Sequence, residues 1–159
     1  MKQRIKKILA PALALAILAS SASVLAQQAP KPEQLIKWRQ SAFQVVAWNT
    51  GRIKASLDGT YNKEEVQRAA NSIAAIANGG LGALFAAGTE QGKGWHDTSA
   101  KPELFKDGKR FAELSASFGK EASELATVAG GGDVAAIKAQ FGKVQRTCKS
   151  CHDDFKAKD

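Results

Sequence analysis

Residues 147–155 read TCKSCHDDF. They hold both cysteines of the chain, Cys148 and Cys151, and one of its two histidines, His152. Three chemistries use these residue types at this spacing: a disulfide, a metal site and covalent attachment of a haem. A redox Cys-x-x-Cys opens a helix after a strand in a βαβ setting, and here the pair closes a helical pattern with no strand before it. Structural zinc pairs one short ligand motif with a matching second one. The remaining histidine, His96, stands alone in a glycine-rich stretch, and the adjacent Cys151 and His152 close one tetrahedron poorly. Haem attachment accounts for all three residues. Two thiols add to the two vinyl groups as thioethers, and the imidazole that follows binds the iron; C-x-x-C-H is that pattern.

The second axial position then needs a reading. A methionine opposite the histidine makes a low-spin electron carrier. The only methionine is Met1, which leaves with the leader described below, so a His/Met site is excluded by composition. His96 is the residue left for a bis-histidine site, and a lone loop histidine is more often a solvated surface group. The expected state is one protein ligand, His152, facing an apolar pocket.

These residues must be positioned by helices. Ile36, Arg39, Phe43, Val46, Thr50, Ile53 and Leu57 alternate spacings of three and four, a bundle seam running from about Pro32 to Leu57. Arg39 is charged within that seam. A buried guanidinium needs an anion, and a haem propionate is one that its fork of donors matches. The other reading has Arg39 reaching water at the bundle end. Phe43, Val46 and Ala47 fall where the open side of the iron would be.

Asn62 and Glu65 have the form of a capping box. They begin a second helix whose inward stripe is Val66, Ala69, Ile73 and Ile76, and Gly79-Gly80 ends it. Residues 79–101 are glycine-rich and aperiodic and read as a long functional or mobile loop. A third helix is expected from near Pro102 to about Ala129. Asp133 caps a fourth, on which Val134, Ile137, Phe141, Val144, Cys148, Cys151 and Phe155 again alternate three and four. The pattern is all-α, an antiparallel four-helix bundle.

The chain opens MKQRIKK, then ILAPALALAILAS, then SVLAQQ. A basic start, a short apolar run and small residues before Ala26 make residues 1–26 a secretory signal peptide and 27–159 the mature domain. Export places the cysteines in an oxidising compartment. Four of the 23 basic residues and none of the 15 acidic ones lie in the leader, so its removal lowers the net charge from +8 to +4. Acids and bases are mixed along the remainder, which gives nucleic-acid binding little support. No second apolar run is long enough to span a membrane.

With these residues in view, the mature chain resembles cytochrome c′, the class II c-type cytochromes of bacterial periplasms. The resemblance covers nearly all of residues 30–159 and rests on KWRQSAFQVVAWNTGRIK (37–54), FAAGTE (85–90) and CKSCHDDF (148–155). It implies a homodimer of four-helix bundles, each with one covalent haem c and five-coordinate, high-spin iron. By position Cys148 and Cys151 are the thioether links and His152 the axial iron ligand. Arg39 and Gln40 match propionate and haem-edge contacts, and Phe43 matches the residue over the iron. Glu90 and Lys156 join the haem-binding candidates. Such proteins bind nitric oxide and carbon monoxide and take part in electron transfer; the redox partner is not identified by sequence.

Two departures stand out. The family often has an arginine four residues after the axial histidine, where this chain has Lys156, which keeps the charge but loses the planar fork. Some relatives have methionine or leucine where this chain has Val46 or Phe43. A phenyl ring over the iron is expected to slow or weaken carbon monoxide binding. Two alternatives to the gas-binding and electron-transfer reading stay open. An enzyme, a peroxidase or nitric oxide reductase, needs a distal acid–base group, which the stripe of Phe43, Val46 and Ala47 lacks. A low-spin shuttle needs His96 on the iron.

Overall fold

The computed structural model describes residues 29–158. The chain divides into two units, Met1–Pro30 and Lys31–Asp159. Apart from Ala29 and Pro30 the first lies outside the described residues, and so does the signal peptide expected over residues 1–26.

The second unit is built from four helices, α1 Pro32–Asp58, α2 Lys63–Asn78, α3 Gly108–Gly131 and α4 Val134–Phe155. Two short 3-10 turns, Leu81–Leu84 and Pro102–Phe105, lie between α2 and α3. Consecutive helices pack along one another, as brief connections at α1–α2 and α3–α4 require of an antiparallel bundle. Among the described residues no strand forms beyond two isolated bridges, and no helix is long and apolar enough to cross a membrane.

Local chemistry sets the helix ends. Pro32 opens α1 at a position where its missing N–H is not needed. Asn62 accepts from the Glu65 amide at 3.1 Å, but the expected box is only half made. The Asn62 amide donates instead to Ser56 Oγ at 2.9 Å, and the Glu65 carboxylate pairs with Arg52 at 3.1 Å. Asp133 caps α4 through Ala135 and Ala136. Gly132, at φ +82°, makes the left-handed turn that separates α3 from α4.

The third helix starts later than its sequence suggests. Pro102 begins a 3-10 turn, and α3 itself opens at Gly108, where Asp107 accepts from the Arg110 amide at 3.0 Å. Both Pro102 and Asp107 are start signals, and only the second begins a long helix.

Ile53, Val66, Ile73, Leu125, Ile137 and Val144, each at most 1% exposed, anchor a core in one half of the bundle. Burying each such side chain contributes roughly 1.5–3 kcal/mol. Leu104, Leu114 and Phe155 form a second, smaller cluster with Phe85, Phe111 and Cys151. Two members of the α1 seam line a cavity: Phe43, 37% exposed, which was expected to face an open side, and Thr50. Asn49 and Ser56 take buried places among the α1 residues.

Candidate functional site

The two halves of the bundle differ because large side chains fill one and an opening occupies the other. A cavity of about 730 Å³ lies among the middle of α1, the start of α3 and the end of α4, within the ~300–1,000 Å³ range of cofactor pockets. Cys148, Cys151 and His152 all line it, since residues at i, i+3 and i+4 share one side of a helix. No aspartate or glutamate is among its lining residues, whereas Arg39 and Lys156 are. Such walls suit a large apolar group with anionic substituents.

The two thiols form no disulfide. Burial raises the pKa of both; a thiolate-stabilising hydrogen bond from Thr147 partly offsets this at Cys148, and the Asp154 charge adds to it at Cys151. Thiols kept protonated are poor zinc ligands or exchange nucleophiles. His152 shifts the other way. Burial of part of the ring, then Lys156, lower its pKa, with Asp153 opposing. A neutral imidazole is the form that ligates a metal.

The end of α4 is fastened from outside. The Lys101 amide donates to Phe155 O and the Ala157 amide to Ser99 O, each at 2.8 Å. Lys101 Nζ donates to the carbonyls of Asp153 and Asp154 at 2.9 and 3.2 Å, meeting acceptors that a helix C-terminus leaves over. The turn carrying His152 is thus tied to residues 99–101.

Residues 79–101, expected as a long loop, are irregular apart from Leu81–Leu84, and they are pinned to α1. Arg39, 3% exposed, donates through Nη1 to Leu84 O (3.2 Å) and Thr89 Oγ1 (2.7 Å). Its Nη2 donates to Thr89 O (2.9 Å) and Thr98 Oγ1 (2.5 Å). Burial lowers the arginine's pKa and the nearby Glu90 charge raises it. Glu90 itself does not line the cavity; Gln40, Phe43 and Lys156 do.

Gln40 holds the next part of the loop. Its Oε1 accepts from the Trp95 amide at 2.7 Å, and its Nε2 donates to His96 O at 2.9 Å. Trp95 Nε1 donates to Ser41 Oγ at 2.8 Å. His96 reaches the cavity wall, with Nδ1 2.9 Å from Asp97 O. Gln40 Nε2, a donor, lies 3.3 Å from the same Nδ1, so the two neighbours ask opposite tautomers of the ring.

This pinning needs Gly94. A Cβ there would lie 2.4 Å from Gln40 Oε1, 2.8 Å from Lys37 N and 2.9 Å from Ile36 Cγ2. The glutamine tip can swing aside; the α1 backbone cannot. Gly94→Ala is therefore expected to cost about 1–3 kcal/mol by overpacking, read as a lower denaturant midpoint at unchanged m-value.

Sequence reasoning gave no role to Phe85. Its ring meets Phe43 edge-on at 6.2 Å and Phe111 at 5.1 Å, and Phe111 meets Phe155 at 6.3 Å. Four rings thus run from α1 to α4 across the cavity wall. Phe85 heads the FAAGTE segment, the one signal that marked it.

A four-helix bundle whose last helix turns a Cys-x-x-Cys-His into an apolar cavity defines the class of bundle-type c cytochromes. Comparison with known proteins agrees. The family model described as Cytochrome C' matches residues 34–156, and the chain belongs to that family, whose members bind haem c. A cytochrome c′ of Rhodocyclus tenuis is 64% identical over 130 residues, covering 81% of this chain and 98% of the relative. A solved cytochrome c′ described by an unusual ligand-controlled dimer dissociation is 43% identical, with TM-score 0.79, covering 82% of this chain and 99% of its own. The nitric oxide complex of a variant cytochrome c prime from Alcaligenes xylosoxidans is 29% identical, with TM-score 0.72, covering 80% and 98%.

Proposed function

We propose that the mature chain is a periplasmic protein carrying one covalent haem c, which binds nitric oxide and carbon monoxide and takes part in electron transfer. The observation that carries this reading is that Cys148, Cys151 and His152 line the same cavity as Phe43. Cys148 and Cys151 would hold the group through two thioethers, and His152 would be its single protein ligand. Gln40 and Lys156 would lie along its edge. When bound, the haem supplies a one-electron couple and an open iron position. The chain's residues do the rest: they bind it, exclude water with aromatic walls and leave room for a neutral diatomic. No enzymatic role is part of this reading, because Phe43, Val46 and Ala47 offer no proton donor or acceptor on that wall. The related nitric oxide complex supports gas binding.

A homodimer belongs to the proposal. Trp38, Val45 and Trp48 leave 45%, 43% and 63% of their surface exposed along α1, and a solved relative is described by dimer dissociation.

A visible-absorption spectrum tests the iron site. A broad high-spin Soret band that sharpens with nitric oxide is expected. His96 favours a second reading, since it lines the same cavity as His152. A low-spin spectrum insensitive to ligands, lost in His96→Ala, would establish that reading and remove the first. Rapid peroxide turnover would favour an enzyme.

A further inference from the structure

The buried arginine invites the assumption that it waits for an anion. Its hydrogen bonds give it a task of its own, which an anion at its remaining donor would not displace. A guanidinium has five N–H donors. The terminal nitrogens make four contacts, all to neutral oxygens of residues 84–98, which leaves Nε outside this set. The acceptors are themselves set in place. Thr89 Oγ1 donates to Ala86 O at 2.8 Å, and Thr98 Oγ1 accepts from the Ala100 amide at 3.2 Å. Ala100 in turn bridges to Lys156, beyond the end of α4.

Cζ of the same guanidinium lies over the Phe85 ring, 4.8 Å from its centre. Phe85 packs edge-on against Phe43. Such a cation–π contact and such an aromatic pair are each weak, enough to choose a ring position and not enough to hold one alone. Phe43 is the more exposed ring and has α1 behind it, so its orientation depends on what touches it from the loop.

We propose that Arg39 is the positioning residue of the cavity's distal wall: it fastens residues 84–98 to α1 and, through Phe85, holds Phe43 across the path of a diatomic ligand. This rests on the gas-binding reading above. It differs from a propionate partner in what should change when the arginine is altered. A charge partner acts through its positive charge. A fastening acts through the oxygens it binds, and removing the two hydroxyl oxygens among the four should do damage of the same kind with the charge intact.

The test uses the haem-loaded protein in three forms: unaltered, Arg39→Gln, and the pair Thr89→Val with Thr98→Val. Carbon monoxide association is followed after flash photolysis of the ferrous protein. Amide exchange is followed over residues 84–98, and the reduction potential from pH 5 to 9. Both altered forms should accelerate association by about tenfold, the equivalent of ~1.4 kcal/mol off the barrier. Both should raise exchange in residues 84–98, and the pH profile of the potential should keep its shape. In a Phe43→Ala background neither change should accelerate association further, a dependence that general loosening would not show.

The proposal is overturned if the threonine pair leaves association and exchange unchanged while Arg39→Gln alters the pH profile, which would make the arginine a charge partner. It is also overturned if either change accelerates association equally without Phe43. Should Arg39→Gln fail to fold, the threonine pair decides alone. If the unaltered protein binds no carbon monoxide, the gas-binding reading falls; the exchange measurement still decides the fastening, and unchanged exchange refutes it.

Discussion

A Cys148→Ser, Cys151→Ser double variant is expected to surrender its haem completely to acid–acetone extraction, whereas the unaltered chain keeps it. Both thiols line the cavity and neither is committed to a disulfide, so they are the covalent attachment points this cavity offers. The consequence for stability is also large. Taking about 24 cal/mol per Å³ for an unfilled cavity, the ~730 Å³ opening would cost about 18 kcal/mol. That is an upper bound, because the cavity is open to water. Even a fraction of it is comparable with the ~5–15 kcal/mol by which a domain is normally stable, so filling this end of the bundle is expected to stabilise it. Once the tether is cut, occupancy follows mass action. The variant's Tm should rise with added haem, and the unaltered protein's should not. Retention of haem by the variant through extraction would refute the attachment.

Phe43→Ala is expected to speed carbon monoxide association by tenfold or more, with a smaller stability loss than the ~3–5 kcal/mol of a core phenylalanine. The ring is 37% exposed and faces the cavity, so its removal enlarges a space that already exists. Phe43→Leu should fall between, since leucine keeps bulk without the flat ring that meets Phe85. Flash photolysis of the three proteins, with urea titrations beside it, checks both statements. Equal association rates in all three would mean that Phe43 does not stand in the ligand's path.

Much of the bundle was legible because its signals are local. The seams on α1 and α4 and the caps at Asn62 and Asp133 involve residues within a few positions of each other. The start of α3 was expected near Pro102, which opens only a 3-10 turn, whereas Asp107, given no role in the sequence reading, caps the long helix. Phe43 was expected at the open side and is there, whereas Thr50 fitted a core period and also faces the cavity, because periodicity names a side of a helix and not what stands opposite it.

The amino-acid sequence by itself determined the spacing on which the proposed attachment rests. Cys148, Cys151 and His152 lie within one turn and a residue of the same helix, so covalent spacing alone brings them together, and the absence of a methionine after Met1 is a matter of composition. The tertiary structure decided the opposite wall. Arg39 and Thr89, Gln40 and Trp95, and Phe43 and Phe85 are 42 to 55 positions apart, and no helical period reports contacts at that range. Whether the arginine reaches water, an anion or a loop depends on where residues 84–98 return to α1. That return is set by a close approach at Gly94 and by hydrogen bonds to Arg39 and Gln40 that exist only once the chain has folded back.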